Sequence, residues 1–453
     1  MTHAFHPTSL REYDIRGIVG QTLFPADARR IGQAFGTLVR QEGGKTVCVG
    51  RDGRLSGPDL CGALVEGLVE VGITVRRIGV GPTPMLYFAS VVRGADGAIM
   101  VTGSHNPPDH NGFKMVLGNR PFFGADIQKL ATIRPEPAPG GAVIEDSVTE
   151  EYLTRLLADG IGARPLTVVW DAGNGAAGEV ATALAARLPG RHTVLFGTID
   201  GTFPNHHPDP TEPHNLADLI AEVKRQSADI GIAFDGDGDR IGVVDGLGRI
   251  LWGDQILILL AEEVLKRHPG APIIADVKAS SVFFEEITRM GGQAVMGRTG
   301  HSLVKRLMAD IGAPLAGEMS GHIFFKDRWY GFDDALYAAV RLLGVLADGP
   351  ASLAERRDRL PVRVNTPELR FDCPDERKFH VVAEVKARLE AAKAKVNAVD
   401  GVRVDTADGW WLLRASNTQA VLVARCEAAD EAGLERLKAV LTAQLAESGV
   451  ALC

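Results

Sequence analysis

One serine and three aspartates carry the chemistry that this sequence suggests. Ser104 lies in the segment Gly-Ser-His-Asn-Pro at residues 103–107, directly after an apolar, strand-like run. Gly, Asn and Pro favour a turn, so we expect the Ser104 hydroxyl to be exposed at the end of a strand, where active-site loops of α/β proteins lie. A hydroxyl in that place could accept a phosphoryl group. The adjacent His105 adds little on its own, because most Ser-His pairs lie in solvated turns.

The aspartates form the motif Asp-Gly-Asp-Gly-Asp-Arg at residues 235–240, the aspartate loop. Apolar, β-like runs flank it on both sides, which predicts a loop between two strands. The intervening glycines allow Asp235, Asp237 and Asp239 to converge on one point. Three convergent carboxylates need a cation, and hard oxygen ligands favour Mg²⁺ or Ca²⁺. Arg240 could neutralise charge on a transferring phosphoryl group.

Other interpretations of these motifs are weaker. An EF-hand loop would need Gly and Glu where the chain has Arg240 and Gly246, and helices where it has strands. An acidic, solvated hairpin is the simplest alternative. Residues 173–178 match the spacing of a dinucleotide-binding turn, but they fit a plain strand-to-helix connection better. The adjacent His206 and His207 cannot easily face one metal, so a loop or interdomain contact is expected.

Size and composition restrict the class of protein. A chain of 453 residues predicts about three or four domains. A net charge of −8 argues against a nucleic-acid or anionic-membrane partner and leaves small anionic metabolites. The five cysteines show no disulfide or metal-ligand spacing. Without a recognisable signal peptide or membrane-spanning run, we expect a cytoplasmic enzyme.

The chain repeats one pattern three times. A short apolar strand ends in Asp and opens into a turn before a helical stretch at residues 47–52, 168–171 and 273–276. This predicts three similar α/β domains, each presenting a strand-end loop to a shared cleft. Mixed strands and a helix at 431–447 predict a smaller C-terminal α+β domain. The predicted domains comprise residues 1–145, 146–248, 249–361 and 362–453, with a hinge at 360–368.

The chain resembles the α-D-phosphohexomutase family, and within it the bacterial phosphomannomutase/phosphoglucomutase group, over nearly its whole length. The resemblance implies four domains in a heart-shaped arrangement around a central active-site cleft. It rests on six motifs in the family's order: Tyr-Asp-Ile-Arg-Gly at 13–17, Thr-Gly-Ser-His-Asn-Pro at 102–107, Gly-Phe-Lys at 112–114, the aspartate loop, Gly-Glu-Met-Ser-Gly-His at 317–322 and Arg-Ala-Ser-Asn-Thr at 414–418.

The resemblance also implies a reaction. Ser104 would carry a phosphoryl group, and Mg²⁺ would be held by Asp235, Asp237, Asp239 and a phosphoserine oxygen. The phosphoserine would phosphorylate a hexose 1-phosphate or 6-phosphate, and the resulting 1,6-bisphosphate would reorient and return its other phosphate to the serine. The product is the isomeric hexose phosphate, so the reaction is a reversible mutase reaction in which the bisphosphate acts as intermediate and activator.

The same resemblance implies roles for the remaining motif residues. A loop with Arg414, Ser416, Asn417 and Thr418 would bind the non-reacting phosphate, and Glu318 and Ser320 would bind sugar hydroxyls. Lys114 and His301 are candidate proton shuttles. The other expected site residues are Arg16, His105 and Arg240 among the catalytic groups, and Tyr13, Lys278 and His322 among the substrate-binding groups.

The motifs do not decide which sugar the enzyme would prefer. Met319 favours a mannose or glucose mutase over the glucosamine branch, while Gln419 and Ala420 replace the Glu-Pro of many relatives and so loosen the phosphate loop in principle. The alternatives are a phosphoglucosamine mutase, a metal-dependent sugar-phosphate phosphatase that uses the same serine, and a sugar-phosphate-binding protein without catalysis. The expected partner is a small phosphosugar, and we expect a monomer or weak oligomer.

Overall fold

The computed structural model describes residues 3–118, 120–162, 164–416 and 419–450. Across these residues the chain builds four sheets in succession, each from one continuous stretch of sequence. The first three sheets contain parallel strands covered by helices, and the fourth is antiparallel. The prediction of three α/β domains and one C-terminal α+β domain is therefore confirmed.

The first domain presents Ser104 at the end of a central strand. Strand β4, Gly97–Val101, is fully buried and parallel to β2, which is typical of a strand covered on both faces. The elements are β1 Ile15–Ile18, α1 Pro25–Gln41, β2 Thr46–Arg51, α2 Gly57–Glu70, β3 Thr74–Val80, α3 Thr83–Val92, β4, β5 His110–Leu117, β6 Arg120–Pro121, α4 Ala125–Thr132 and β7 Ala142–Glu145. The sheet order is β1-β5-β4-β2-β3-β7, with β6 beside β5.

The second domain presents the aspartate loop as the turn of a hairpin. Strands β10 and β11 are antiparallel, and Phe234 pairs with Ile241 just before and after the loop. The elements are α5 Thr149–Leu157, β8 Leu166–Asp171, α6 Gly178–Ala185, β9 Gly190–Leu195, a 3₁₀ turn at Pro213–Leu216, α7 Ala217–Gln226, β10 Ile230–Phe234, β11 Ile241–Asp245 and β12 Ile250–Leu251. The sheet order is β12-β11-β10-β8-β9.

The third domain supplies residues 317–322 between two antiparallel strands. The elements are α8 Gly253–Arg267, β13 Pro272–Asp276, α9 Ser281–Arg289, β14 Gln293–Gly297, α10 His301–Ile311, β15 Leu315–Gly317, β16 Ile323–Phe325, α11 Ala335–Ala347 and α12 Leu353–Asp358. Helix α12, which was not predicted, lies just before the predicted domain boundary at residue 361. Its signal was present, because Ser352 and Glu355 form a reciprocal capping box.

The fourth domain is an antiparallel sheet covered by two long helices. The elements are β17 Val364–Asn365, β18 Leu369–Asp372, α13 Asp375–Ala391, β19 Val396–Asn397, β20 Val402–Asp405, β21 Gly409–Ala415, β22 Val421–Ala428 and α14 Glu431–Glu447. The predicted helix at 431–447 is confirmed.

The hydrophobic cores show which domains are packed into one unit. One buried cluster runs from Met85 in the first domain through Trp170 in the second to Leu336 in the third. The fourth domain has a separate core around Trp411 and Leu437. Shared burial fixes the first three domains relative to one another, because separating them would expose apolar surface. Among the described residues, no helix is both long and apolar enough to cross a membrane.

Candidate active site

The loop that follows β4 holds Ser104 in an unusual backbone conformation. Its φ angle is +49°, in the left-handed region that non-glycine residues seldom adopt. The hydroxyl of Thr102 accepts a hydrogen bond from the Ser104 backbone N–H at 2.8 Å. Such strain persists only where the surrounding contacts hold the backbone in place, and it is common at functional sites.

Arg54 provides that restraint, and the sequence analysis missed it. Its guanidinium is fully buried and donates hydrogen bonds to the carbonyl oxygens of Ser104 at 2.7 Å and Asn106 at 2.6 Å. It also donates to His110 O at 2.9 Å, and Asp52 binds its Nε at 3.2 Å. A single arginine outside the recognised motifs gives no local signal of these contacts, since they join residues about fifty positions apart.

The serine loop and the aspartate loop touch each other. The Ser104 hydroxyl donates a hydrogen bond to Asp235 Oδ2 at 2.8 Å. Gly236 allows the approach, because a Cβ atom at this position would lie 2.3 Å from Ser104 O. Gly238 serves differently, adopting a φ of +74° that suits glycine. The structure thus brings the hydroxyl and the carboxylates into one site, as the sequence analysis expected.

The three carboxylates form a group that could hold a cation. Asp235, Asp237 and Asp239 are fully buried, and each offers an oxygen within 4.8 Å of the others. Asp237 Oδ1 and Asp239 Oδ1 have no hydrogen-bond partner among the described residues. Burial, followed by the charges of Asp237 and Asp239, raises the pKa of Asp235 well above its usual value. These residues fit a hard divalent ion, which would relieve the repulsion and satisfy the unpaired oxygens.

Lys114 partly neutralises the aspartates from the neighbouring strand β5. Its Nζ lies 2.7 Å from Asp237 Oδ2 and also binds Asp239. Burial alone would lower the pKa of Lys114, but the charges of Asp237 and Asp239 outweigh it and raise that pKa. Arg16 is buried nearby, donating to the carbonyl of Gly103 and to Asp14 Oδ2 at 2.7 Å. Both predicted residues therefore lie at the junction of the first two domains.

His105 lies directly beside the serine hydroxyl. Its Nδ1 is 3.3 Å from Ser104 Oγ and 4.0 Å from Asp235 Oδ2. Burial, together with the positive charges of Arg240 and Arg16, lowers the pKa of His105 well below its usual value. The ring therefore stays neutral near pH 7, which leaves it able to exchange a proton with a neighbouring oxygen.

A chain of polar contacts connects the aspartate loop to the third domain. Arg240 Nε donates to His322 Nε2 at 3.0 Å, and the same two residues form an isolated β-bridge. The rings of His322 and His301 stack with centroids 5.7 Å apart. Tyr13 reaches across from the first domain, donating its hydroxyl to Thr299 O at 2.8 Å. The predicted residues of three domains therefore line one region.

The candidate sugar-binding residues lie beside these histidines. Glu318 is buried, accepts a hydrogen bond from the backbone N–H of Gly300 and lies 3.9 Å from His322 Nε2. Burial raises the pKa of Glu318. Ser320 is half-buried in the same turn between β15 and β16.

The fourth domain brings Arg414 toward the same region and contacts Lys278 of the third domain. Arg414 is buried and donates to Asp400 Oδ2 at 3.0 Å, and Lys278 Nζ lies 3.3 Å from Glu368 Oε2. Ser416 Oγ accepts from the backbone N–H of Gln419 at 3.1 Å. Two further predicted phosphate-binding residues, Asn417 and Thr418, lie outside the described residues.

The two other motifs considered in the sequence analysis support this site. The imidazole of His207 lies 2.5 Å from His105 O, so the predicted interdomain contact is confirmed. His206 contacts Asp171 at 3.1 Å. The turn at 173–178 packs behind the aspartate loop, because Ala176 N–H donates to Gly236 O at 2.9 Å. This turn therefore has a structural role in supporting the aspartates.

Comparison with models of protein families gives four matches in chain order. They are the alpha/beta/alpha domains I, II and III of phosphoglucomutase/phosphomannomutase at residues 7–134, 150–248 and 252–364, and the C-terminal domain of the same proteins at 368–444. The chain belongs to the phosphoglucomutase/phosphomannomutase family. The resemblance seen in the six sequence motifs is thereby confirmed.

Relatives of this family match the chain over nearly its full length. A phosphomannomutase/phosphoglucomutase of Pseudomonas putida is 47% identical over 438 residues, covering 96% of this chain and 95% of the relative. A phosphoglucomutase of Neisseria gonorrhoeae is 46% identical over 438 residues, with 94% of each chain covered. The crystal structure of a phosphoglucomutase/phosphomannomutase family protein from Burkholderia thailandensis superposes with a TM-score of 0.92 at 46% identity, covering 98% of both chains.

Proposed function

We propose that this protein interconverts hexose 1-phosphate and hexose 6-phosphate, with mannose or glucose as the sugar, through a phosphoserine and a hexose 1,6-bisphosphate. The contact between the Ser104 hydroxyl and Asp235 Oδ2, at 2.8 Å inside a buried aspartate cluster, carries the proposal. Membership of the phosphoglucomutase/phosphomannomutase family supports the reaction class. The substrate is a small anion, and a cytoplasmic monomer or weak oligomer is part of the same proposal.

The first half-reaction moves a phosphoryl group from Ser104 to a sugar hydroxyl. The bond from phosphorus to Ser104 Oγ breaks as a bond to the sugar oxygen forms, so Oγ takes up negative charge and the sugar hydroxyl loses a proton. A Mg²⁺ ion held by Asp235, Asp237 and Asp239 would draw charge from the transferring group. The proton that the sugar gives up would end on Oγ, and the neutral ring of His105, with Nδ1 at 3.3 Å, is placed to hydrogen-bond this oxygen.

Cations around the aspartate loop would position the transferring group. Arg240 is anchored by the His322 ring, and Arg16 by Asp14, so neither guanidinium has to be ordered when substrate arrives. Lys114 stays protonated, because the two carboxylates it contacts raise its pKa, and it would stabilise the transferring group by donating hydrogen bonds. Burial lowers the pKa of His301, the other candidate shuttle, so its neutral ring could accept the proton that the sugar hydroxyl loses. These groups would act equally in the return step, because the reverse transfer passes through the same arrangement.

Binding of the distal phosphate would depend on the fourth domain. Arg414, at the end of β21, and Ser416, just after this strand, supply a guanidinium and a hydroxyl, a suitable set for a phosphate. Glu318 would accept hydrogen bonds from sugar hydroxyls in either orientation of the bisphosphate. Retention of the intermediate requires that water be kept out while the sugar turns.

The test supplies either hexose 1-phosphate with Mg²⁺ and a trace of the matching 1,6-bisphosphate, and follows both hexose 6-phosphate and inorganic phosphate. The proposal predicts hexose 6-phosphate as the main product, a phosphorylated fraction in intact-mass spectra, and loss of both in Ser104→Ala. Ser90→Ala is the matched control, since this buried serine contacts only Tyr87 O among the described hydrogen bonds. Steady release of inorganic phosphate without isomer would identify a phosphatase, and tight binding without turnover would identify a binding protein.

A further inference from the structure

One carboxylate outside the predicted site approaches both active-site histidines. Asp333 is fully buried just before helix α11, and its Oδ2 lies 3.1 Å from His322 Nδ1 and 3.8 Å from His301 Nδ1. Its other oxygen, Oδ1, accepts a hydrogen bond from Lys305 Nζ at 3.0 Å. A single side chain thus connects His301 and Lys305 of helix α10 with His322, which lies between β15 and β16.

The contact from Arg240 determines which nitrogen of His322 carries a proton. An arginine Nε–H can only donate, so His322 Nε2, at 3.0 Å, must accept. In the neutral ring the proton then belongs on Nδ1, the atom that faces Asp333. A protonated Nδ1 cannot ligate a metal, so the cluster of Asp239, His322 and Asp333 does not fit a second cation. His322 Nδ1 and Asp333 Oδ2, 3.1 Å apart, have no other hydrogen-bond partner among the described residues.

Asp333 is itself held in one orientation. Lys305 occupies Oδ1 from helix α10, and the Lys305 ammonium lies 4.6 Å from the centre of the Tyr87 ring. This arrangement leaves Oδ2 facing the histidines. A buried carboxylate needs hydrogen-bond partners for both oxygens. A proton on an imidazole Nδ1 would supply the donor that Oδ2 needs.

We propose that Asp333 is a positioning residue that holds the rings of His322 and His301 in place and, together with Arg240 at His322, keeps the proton on Nδ1, so that His322 Nε2 anchors Arg240 and the Nε2 atom of His301 is available to substrate. The inference rests on the proposed function, and it adds a residue that belongs neither to the aspartate loop nor to any of the six sequence motifs. Carboxylates that orient catalytic or metal-binding histidines act in this way elsewhere.

Asp333→Asn tests the role, and the neighbouring Asp334→Asn is the control. Asp334 is equally buried but binds Tyr337 N and the Tyr152 hydroxyl and contacts no histidine. We expect Asp333→Asn to lower kcat at least about tenfold while KM changes less than about threefold, and Asp334→Asn to keep kcat. Asp333→Glu, which restores the charge, should recover part of the loss. Equal kcat in wild type and Asp333→Asn, or equal losses in the two Asn variants, would overturn the proposal.

A second measurement does not depend on activity. In protein labelled with ¹⁵N-histidine, the His322 imidazole N–H should give a strongly downfield proton signal that disappears in His322→Gln, shifts upfield in Asp333→Asn and persists in Asp334→Asn. An unshifted signal in Asp333→Asn would contradict the proposal even if the mutase reaction is established. Conversely, the signal can be present in a protein without mutase activity, so the two failures are distinguishable.

Removing Asp333 alone leaves the Lys305 charge buried without its partner and could unfold the protein. The double variant Asp333→Asn with Lys305→Met removes both charges and covers that case. We expect it to fold and still show the reduced kcat and the missing downfield signal. A folded double variant with wild-type kcat would refute the positioning role.

Discussion

The Ser104 hydroxyl donates a hydrogen bond to Asp235 Oδ2 at 2.8 Å across 131 residues of sequence and a domain boundary. Neither loop can do phosphoryl transfer alone: the serine loop has no cation site, and the aspartate loop has no nucleophile. Their contact creates the site. Because the first three domains share a continuous hydrophobic core, the two loops remain in register without help from a ligand.

Replacement of Gly236 by alanine should separate the two loops. The new Cβ would lie 2.3 Å from Ser104 O, a distance that the buried surroundings cannot absorb without a shift. We expect Gly236→Ala to lower kcat at least about tenfold, because an ångström of misplacement is costly for catalysis. Gly62→Ala is the matched control, since a Cβ there meets no heavy atom within 4 Å. Wild-type kcat in Gly236→Ala would show that the close approach of the loops is not needed.

Mg²⁺ should stabilise the folded protein through the aspartate loop. An ion that binds only the native state raises the free energy of unfolding, by about 2.7 kcal/mol at one hundred times its Kd. Chelation should therefore lower the midpoint of thermal unfolding, and Asp239→Asn should reduce the shift that Mg²⁺ produces. Asp245→Asn, on the same hairpin but paired with Arg249, should keep the shift. An equal shift in wild type and Asp239→Asn would place the binding of Mg²⁺ elsewhere.

The local chemistry of this site could be predicted from sequence, because each motif is continuous. The Asp-Gly alternation at 235–240 and the turn around Ser104 can each be recognised from about six consecutive residues. The restraints could not be predicted in the same way. Arg54 binds carbonyl oxygens 50 to 56 residues away, and Lys305 binds Asp333 across 28 residues of sequence. None of these three residues belongs to a motif. Helix α12 was missed although its capping box was visible.

The stability of the protein should depend on pH through Asp334. Burial raises the pKa of Asp334 to about 7, despite hydrogen bonds from Tyr337 N–H and the Tyr152 hydroxyl. The native state therefore binds more protons than the unfolded state between the unfolded pKa of 3.8 and about 7, so stability falls as pH rises through this window and is flat above it.

The variant Asp334→Asn removes this pH dependence. Comparing it with the wild type therefore separates the contribution of Asp334 from that of all other titrating groups. We measure the free energy of unfolding of both proteins by urea denaturation. The value of the variant minus that of the wild type should increase by roughly 2–3 kcal/mol from pH 5 to pH 8. The asparagine can still cap helix α11, so the variant should fold. A difference between the two proteins that does not change with pH would contradict the raised pKa.

The fourth domain should move as a body when substrate binds. The predicted hinge at 360–368 must be shorter than expected, because Thr366 N–H already bonds to Cys426 O in the fourth sheet. Any hinge would therefore lie before Thr366. Arg403 and Arg425 join the fourth domain to the third by donating to the carbonyls of Val277 and Lys278 at 2.6 and 2.8 Å. A lid of this kind must open to exchange the sugar.

Arg425→Met should weaken this closure and favour an open form. We expect a larger radius of gyration in X-ray scattering without ligand, and a higher KM, because Lys278 loses a restraint on its backbone. Arg436→Met, which breaks only an exposed pair with Asp408, should leave both unchanged. Scattering that responds neither to Arg425→Met nor to saturating hexose phosphate would argue against domain movement.

The most direct test of the account follows one phosphoryl group. Protein labelled on Ser104 with ³²P from hexose 1,6-bisphosphate is mixed with unlabelled hexose 1-phosphate and Mg²⁺, and the label is traced during a single turnover. We predict that it passes from the protein to hexose bisphosphate and then to hexose 6-phosphate. Label that stays on the protein, or that leaves only as inorganic phosphate, would contradict transfer between Ser104 and the sugar.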